Sequence, residues 1–545
     1  MYSSIKNTNG VPTLCANGSP LPGFAYITYR TNNARYEDFA KIGCSLYSVP
    51  VFFGSQTINE VSRFPSIAPG IFDTDTPDFS IFDRDMEKIC AVCPDAYIFP
   101  RINMSLPEKW ENDHPDECCD SGFTSHRRAC FSSDAWAAET KRLLGLFIDH
   151  AAASPYRENI VGYQLAGGNT EEWFSFDQKG SLGKRFYEKF EAYRKKNRIP
   201  ESGEIHDEEL RRFSSVVTAE RIMEFAAFAK ERTNRRLVIG SFYGYTLECT
   251  DPVSCHHALG MILDCPDIDF ICSPVSYADN RPAGIDHACM LPVDSLKAHG
   301  KLYFAENDTR THLSKAPNEL PHYNNPIWFG PEPEQSREII ASHFARALTH
   351  GHAMWWFDMW GGWYADAEYM KLLGDCLEIC RDSLTKDRTS LSEVAVFADE
   401  TAYSKEGCDR QLNYQIRKTL GAVGTPYDIY LIDDYEAVRE KYKFFVFLCP
   451  AGTSALDKAI SDAGEKGIAI DRNNRSVTPG ELRAIFRSHG VHIWHDSAPI
   501  VYASGSYLFV DSEDQTLNVP EGIGLTKILS ERNAALYEIR RKRPD

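Results

Sequence analysis

Eight short apolar runs, separated by helical patterns, constrain this chain more than any other feature. They fall at 24–29 (Phe-Ala-Tyr-Ile-Thr-Tyr), 45–53, 96–101, 160–166, 237–243, 270–275, 302–305 and 353–357. Each has the length of a buried strand and is rich in aliphatic and aromatic residues. Between them lie segments with helical periodicity, such as 136–153, 181–196, 219–233 and 334–350. The helical pattern at 36–42 ends at Gly43, a common stop signal. Eight strands alternating with helices is the count of an α/β fold of the (β/α)8 TIM-barrel type. The rival is an open doubly wound sheet. That fold carries a Gly-rich phosphate turn after its first strand, and this sequence has none there.

At 545 residues the chain is too long for one core. A break falls near 384–392, and a second α/β pattern follows it. Short strands are expected at 393–397, 428–432, 444–448, 467–470 and 491–494, with helices at 408–423 and 454–465. From about 499 onward the pattern is short strands alone, for example 506–510. The expected organisation is a barrel over 1–387, a small parallel α/β domain over 388–498 and a β region over 499–545.

Net charge of −18 argues against nucleic-acid and anionic-membrane partners, which need a basic surface. No apolar run approaches the ~20 residues that span a bilayer. Residues 1–20 lack a charged n-region followed by an apolar h-region. The 16 Cys are scattered, so the expectation is a cytoplasmic protein with reduced thiols. Cys118, Cys119 and Cys130 lie near His114 and His126, but without the paired spacing of a zinc site. A Cys-containing loop is the preferred reading, and neither metal nor cofactor is expected. Cys449, after the third strand of the second domain, lacks the Gly-flanked elbow of a nucleophilic Cys, since Pro450 follows it.

Chemistry enters at two strand ends. The seventh run, Leu302–Ala305, stops abruptly at Glu306 and is followed by Asn-Asp-Thr-Arg-Thr-His. The fourth run leads into Gly167-Gly-Asn-Thr-Glu171-Glu172-Trp173-Phe174. In a barrel both strand ends open on one rim, so distant carboxylates converge there. A lone Glu more often makes a salt bridge or caps a helix. Two of them on strands four and seven suit glycoside hydrolysis, where one is acid and then base and the other is a nucleophile or activates water.

This pattern resembles the retaining (β/α)8 glycosidases, whose acid/base follows strand four and whose nucleophile ends strand seven. It is most similar to family 42 β-galactosidases and a related β-mannosidase family. Phe99-Pro-Arg-Ile-Asn-Met-Ser-Leu-Pro-Glu-Lys-Trp110 resembles their third-strand segment, and Phe304–Thr311 their nucleophile segment. Region 390–498 is similar to their flavodoxin-like trimerisation domain. The resemblance implies a retaining, exo-acting β-glycosidase, most like a β-galactosidase, acting on oligosaccharides or glycosides as a homotrimer. A β-mannosidase or other β-hexosidase is the alternative, followed by a non-catalytic carbohydrate-binding barrel.

The clan's usual Asn-Glu pair is interrupted here, because Thr170 and Glu171 separate Asn169 from Glu172. Relatives with a Thr-x-Glu-Trp segment favour Glu172 as acid/base, with Glu171 the other choice. Glu306 is the implied nucleophile, its carboxylate expected to be held at low pKa by Arg101 or Arg310. Glu172 is expected to be raised by an apolar neighbour such as Trp173. Arg101 and Asn103 after strand three, and Asn169, are candidates for sugar hydroxyls. Tyr277 and Arg281 after strand six are rim candidates, and His312 reads as a loop histidine. Trp356 and Trp360 are candidates for a pocket floor.

Overall fold

The computed structural model describes the chain except for residues 56–65, 122–126, 176–180, 202, 249–255, 278, 280, 315–329 and 542–545, and the side chains of 204–206. Its centre is a closed parallel barrel of eight strands. These are Phe24–Ile27, Leu46–Phe52, Tyr97–Asn103, Gly162–Ala166, Val238–Phe242, Phe270–Pro274, Leu302–Asn307 and Ala353–Phe357, in order around the ring. Strand eight pairs with strand one, Trp355 opposite Ala25, and closes it. All eight fall on the expected apolar runs. Strand seven runs two residues further than its apolar run and so carries Glu306 within it.

The barrel is filled rather than hollow. Phe99, Phe270, Phe304 and Trp355 point inward and form an aromatic plug, with Trp355 stacked on Phe304 at 4.2 Å between ring centres. Strand five makes room for it with Gly240, where a Cβ would come within 2.3 Å of the Phe270 ring. Below the plug, a three-stranded antiparallel sheet (Ser3–Thr8, Val11–Ala16, Ser19–Pro20) is anchored to strands four and five. Ser3 does this by accepting from Val238 N at 2.9 Å and donating to Val161 O at 2.5 Å. The sequence reading did not include this sheet.

The second domain contains a four-stranded parallel sheet of Val394–Ala398, Tyr427–Leu431, Phe444–Leu448 and Gly467–Ile470, with spatial order 2-1-3-4. That is the order of a flavodoxin-like sheet without its fifth strand. Residues 491–494, expected as that strand, form none; Trp494 N instead donates to Gly424 O at 2.9 Å. The exposed edge of Tyr427–Leu431 is covered by a barrel helix, Val293–Ala298. Asp294 and Ser295 accept from Ile429 N and Leu431 N at 2.8 and 2.7 Å. Capping an open edge this way prevents further strand addition. The chain ends in a four-stranded antiparallel sheet (Ile500–Ala503, Tyr507–Asp511, Ile523–Glu531, Ala534–Arg541) that rests on the helix Pro333–His350. Arg346 of that helix donates to Tyr502 Oη at 2.7 Å, and Glu338 accepts from Arg532 at 2.7 Å.

Candidate active site

Two residues beyond the aromatic plug, two of the inward faces turn polar and two are aromatic. Phe99 is followed by Arg101 and Phe304 by Glu306, while Gly240 and Trp355 are followed by Phe242 and Phe357. The Arg101 guanidinium carbon lies 4.4 Å from the centre of the Phe242 ring, 5.3 Å from Tyr29 and 5.4 Å from Phe357. Within this aromatic box Arg101 donates to Glu306 Oε2 at 2.8 Å and to Tyr29 Oη at 3.2 Å. The Nη2 that reaches Tyr29 also lies 3.3 Å from Glu171 Oε2. All three ionic side chains are buried, at 1–4 % exposure. A buried guanidinium in such a box needs its carboxylates, because an unpaired charge there would be strongly destabilising.

Glu171 and Glu172 reach the site through a strained loop. Gly168, Thr170, Glu171 and Trp173 all have φ between 63° and 70°. Left-handed backbone costs roughly 1 kcal/mol or more for each residue with a Cβ. The loop is held by Trp173 N donating to Gly167 O at 2.8 Å and Asn169 N to Phe174 O at 2.8 Å. Glycine is required at 168, where a Cβ would lie 2.5 Å from Phe174 O and 2.9 Å from the Phe131 ring. The conformation sends the two adjacent carboxyls apart. Glu171 goes down to Arg101. Glu172 goes to a pair of hydroxyls, Thr170 Oγ1 at 2.6 Å and Tyr245 Oη.

These partners bear on protonation. Thr170 Oγ1 contacts two oxygens, Asn169 O at 2.5 Å and Glu172 Oε2 at 2.6 Å, yet has one hydrogen to give. A neutral Glu172 satisfies both contacts, receiving nothing from Thr170 and donating to it, while Thr170 donates to the carbonyl. Burial pushes the Glu172 carboxyl up to about 7. Burial likewise pushes Glu306 up to about 8, against the pull of Arg101. This corrects the expectation that arginine would hold Glu306 low: desolvation of the carboxylate outweighs one shared cation. Each carboxyl also raises the other's cost of ionisation, so protons leave the pair in two steps that belong to both. Of the two arrangements with one proton, charge on Glu306 lies in direct contact with Arg101 at 2.8 Å, whereas charge on Glu172 contacts only hydroxyls and feels the guanidinium from further off. The stronger raising of Glu306, about 8 against about 7, opposes the first arrangement, and the direct contact supports it. Contact with the guanidinium favours the first.

Among the other expected site residues, Tyr277 lies under Arg281, whose guanidinium carbon is 4.2 Å from its ring centre. Arg281 in turn is bonded to Asp308, two residues past Glu306. Arg310 is 4.0 Å from Asp308. Trp360 sits beside Tyr29, with ring centres 6.3 Å apart, and under Arg30. Asn103 is buried and uses its amide oxygen to accept from Ser105 N at 2.9 Å. Asn169 is buried within the strand-four loop.

Two tryptophans differ from expectation. Trp356 faces outward onto Phe24 and Tyr364, because side chains alternate along a strand and Trp355 takes the inward position. Trp173 turns away from Glu172 into the core, stacking near Phe225 and donating to Leu165 O at 3.2 Å. Trp356 therefore floors no pocket, and Trp173 is not the apolar neighbour of the acid. His312 contacts Tyr369, away from the carboxylates. The sequence reading assigned no role to Tyr29 and Tyr245. In the structure both lie just beyond strand ends, at one and five; Tyr245 shared in the sequence the signal that marked Glu306, whereas Tyr29 fell inside the first apolar run.

Cys118 and Cys119 lie in a short strand, Cys118–Asp120, paired antiparallel with Arg127–Ala129. Cys118 Sγ contacts Glu111 O and His114 O, and Cys119 Sγ contacts Arg128 O. His126 lies outside the described residues. Among the described residues, no three metal-binding side chains come together. Burial pushes the Cys449 thiol up to about 12, away from the thiolate that a nucleophile needs.

A filled (β/α)8 barrel with carboxylates on one rim, followed by a parallel α/β unit and a terminal β sheet, defines the architectural class. Solved structures of that architecture include the β-galactosidase of the psychrophilic Marinomonas ef1. It aligns with a TM-score of 0.61 and 13% identity over 95% of this chain and 100% of that one. The β-galactosidase of Bacillus circulans sp. alkalophilus aligns at 0.56 and 11% identity, over 95% and 98% of the two chains. A family 42 exo-carrageenase from Bacteroides ovatus aligns at 0.56 and 12% identity, over 99% and 86%. No protein-family model and no curated protein matches the sequence. The likeness is one of fold along almost the whole chain.

Proposed function

We propose that this chain is a retaining, exo-acting β-glycosidase, most like a β-galactosidase in the sugar it takes. One observation carries the reading: the barrel rim holds two buried carboxyls in contrasting company. Glu306 rests on a guanidinium at 2.8 Å, and Glu172 rests on hydroxyls. Contrasting environments are how one site runs acid and nucleophile together. In this mechanism Glu306, as carboxylate, attacks the anomeric carbon while Glu172 donates its proton to the departing oxygen. Glu172 then takes a proton from water, which releases the sugar from Glu306 with the starting configuration. Arg101 steadies the charge on Glu306 before attack and after release. Tyr245 orients Glu172, and Tyr29 braces Arg101. The exo mode and the galactoside preference rest on likeness to the β-galactosidases. A homotrimer held partly by the 388–498 domain belongs to the same reading.

The test is a panel of p-nitrophenyl β-glycosides run with the wild-type chain, Glu306→Gln and Glu172→Gln. Glu306→Gln is expected to lower kcat at least about a thousandfold. Glu172→Gln is expected to lower kcat/KM about 100- to 10,000-fold for poor leaving groups, and far less for p-nitrophenol, which needs little acid help. Full activity in Glu306→Gln would sink the mechanism.

A further inference from the structure

Behind the rim, three buried side chains form a continuous hydrogen-bonded chain that the proposed mechanism does not use. Thr309 follows Glu306 by three residues. Its Oγ1 is 2.7 Å from His343 Nδ1, on the helix Pro333–His350. His343 Nε2 is 2.8 Å from His287 Nδ1, and His287 Nε2 is 2.9 Å from Pro282 O. Thr309, His343 and His287 are all buried, at 0–3 % exposure.

The terminal carbonyl fixes every hydrogen in this chain. Pro282 O can only accept, so His287 carries its proton on Nε2. A neutral His287 then accepts at Nδ1, which makes His343 the donor from its own Nε2. His343 Nδ1 is left as an acceptor, and the Thr309 hydroxyl must donate to it. Adding a proton to either ring would set two N–H groups against each other or oppose the threonine donor. Arg281 lies near both rings and disfavours positive charge there, while Asp279 favours it at His287. Burial is the larger cause and acts with Arg281 against the protonated form of both imidazoles.

The chain also ties the same two loops that meet at the rim. There, Arg281 of the strand-six loop bonds Asp308 of the strand-seven loop. Below, Pro282 is linked through both histidines to Thr309. Two ties at different depths fix both the position and the tilt of the segment that leaves Glu306. We infer that His343, His287 and Thr309 are positioning residues that lock the strand-seven loop, and with it the direction of the Glu306 carboxylate, to the strand-six loop. This rests on the proposed nucleophilic role of Glu306.

The test uses the full chain labelled with 15N-histidine, with Thr309→Val and Thr309→Ser. NMR of the wild type is expected to show both rings protonated at Nε2 and bare at Nδ1. Thr309→Val removes the donor at almost unchanged volume and is expected to lower kcat about tenfold with KM within about twofold, as a small misalignment does. Thr309→Ser keeps the donor and is expected to stay within about twofold of wild type. A ring protonated at Nδ1 overturns the assignment, and so do equal kcat values for the valine and serine variants. A chain with these tautomers but no glycosidase activity removes the proposed function and leaves the hydrogen-bonded chain standing.

Discussion

Arg101 divides one positive charge between Glu306 and Glu171, so these neighbours should respond differently to removal. Activity needs Glu306 ionised and Glu172 protonated. It should rise as the first proton leaves the pair and fall as the second leaves. With the two carboxyls raised to about 7 and about 8, the maximum is expected near neutral to mildly alkaline pH. Glu171→Gln removes a negative charge from Arg101 and leaves the cation to Glu306 alone, which eases ionisation of Glu306. The acidic limb of kcat/KM should then move to lower pH by roughly half a unit or more, with kcat within about tenfold of wild type. A pH–rate profile measures this. Activity lost in Glu171→Gln but kept in Glu172→Gln would reverse the acid assignment. What the sequence disclosed at this scale was which residues stand at strand ends. It did not disclose burial, so the direction of the Glu306 shift was missed. Nor did it disclose strand parity at 355–356, which put Trp356 on the wrong face.

The element that distinguishes this site is the strand-four loop, where an uninterrupted Asn-Glu pair is replaced by a tight coil of left-handed residues. Its two glycines were visible in the sequence, but the coil also packs on Phe131, which lies outside any local pattern. Gly168→Ala should force the loop open. The expected result is a loss of stability of about 2 kcal/mol or more and at least tenfold lower kcat, read by thermal melting and by assay. An active, equally stable variant would mean that the loop tolerates another path. Other elements were more legible than the reading made them. Asn9-Gly10 and Asn17-Gly18 both have positive φ at each position, as a two-residue hairpin turn requires. That dipeptide announces the N-terminal sheet. The helix Gly203–Arg232 was expected only from 219, because its first half is too charged to show an apolar stripe.

At the scale of the whole chain, the alternation of strand and helix was enough to count a barrel, since a parallel sheet buried on both faces writes itself as apolar runs. The same logic located the smaller sheet but overcounted it at 491–494, where an apolar stretch ends against the terminal β sheet instead of pairing. The barrel already covers one edge of that smaller sheet, so any trimer contact through the 388–498 domain must use its remaining faces. Sedimentation equilibrium should return three times the 61.6 kDa chain mass. A monomer at micromolar concentration would contradict the trimer.

The central claim is that Glu306 forms the covalent bond to the sugar. It is tested by treating the wild-type chain with the activated 2-deoxy-2-fluoro derivative of whichever β-glycoside the panel selects, then mapping the label by peptide mass spectrometry. Fluorine at C2 slows both steps by destabilising the oxocarbenium-like transition state, and the good leaving group lets the intermediate accumulate. One sugar per chain on the peptide containing Glu306 is the predicted result. A label on Glu171 or Glu172, or an active enzyme that takes no label, would contradict it.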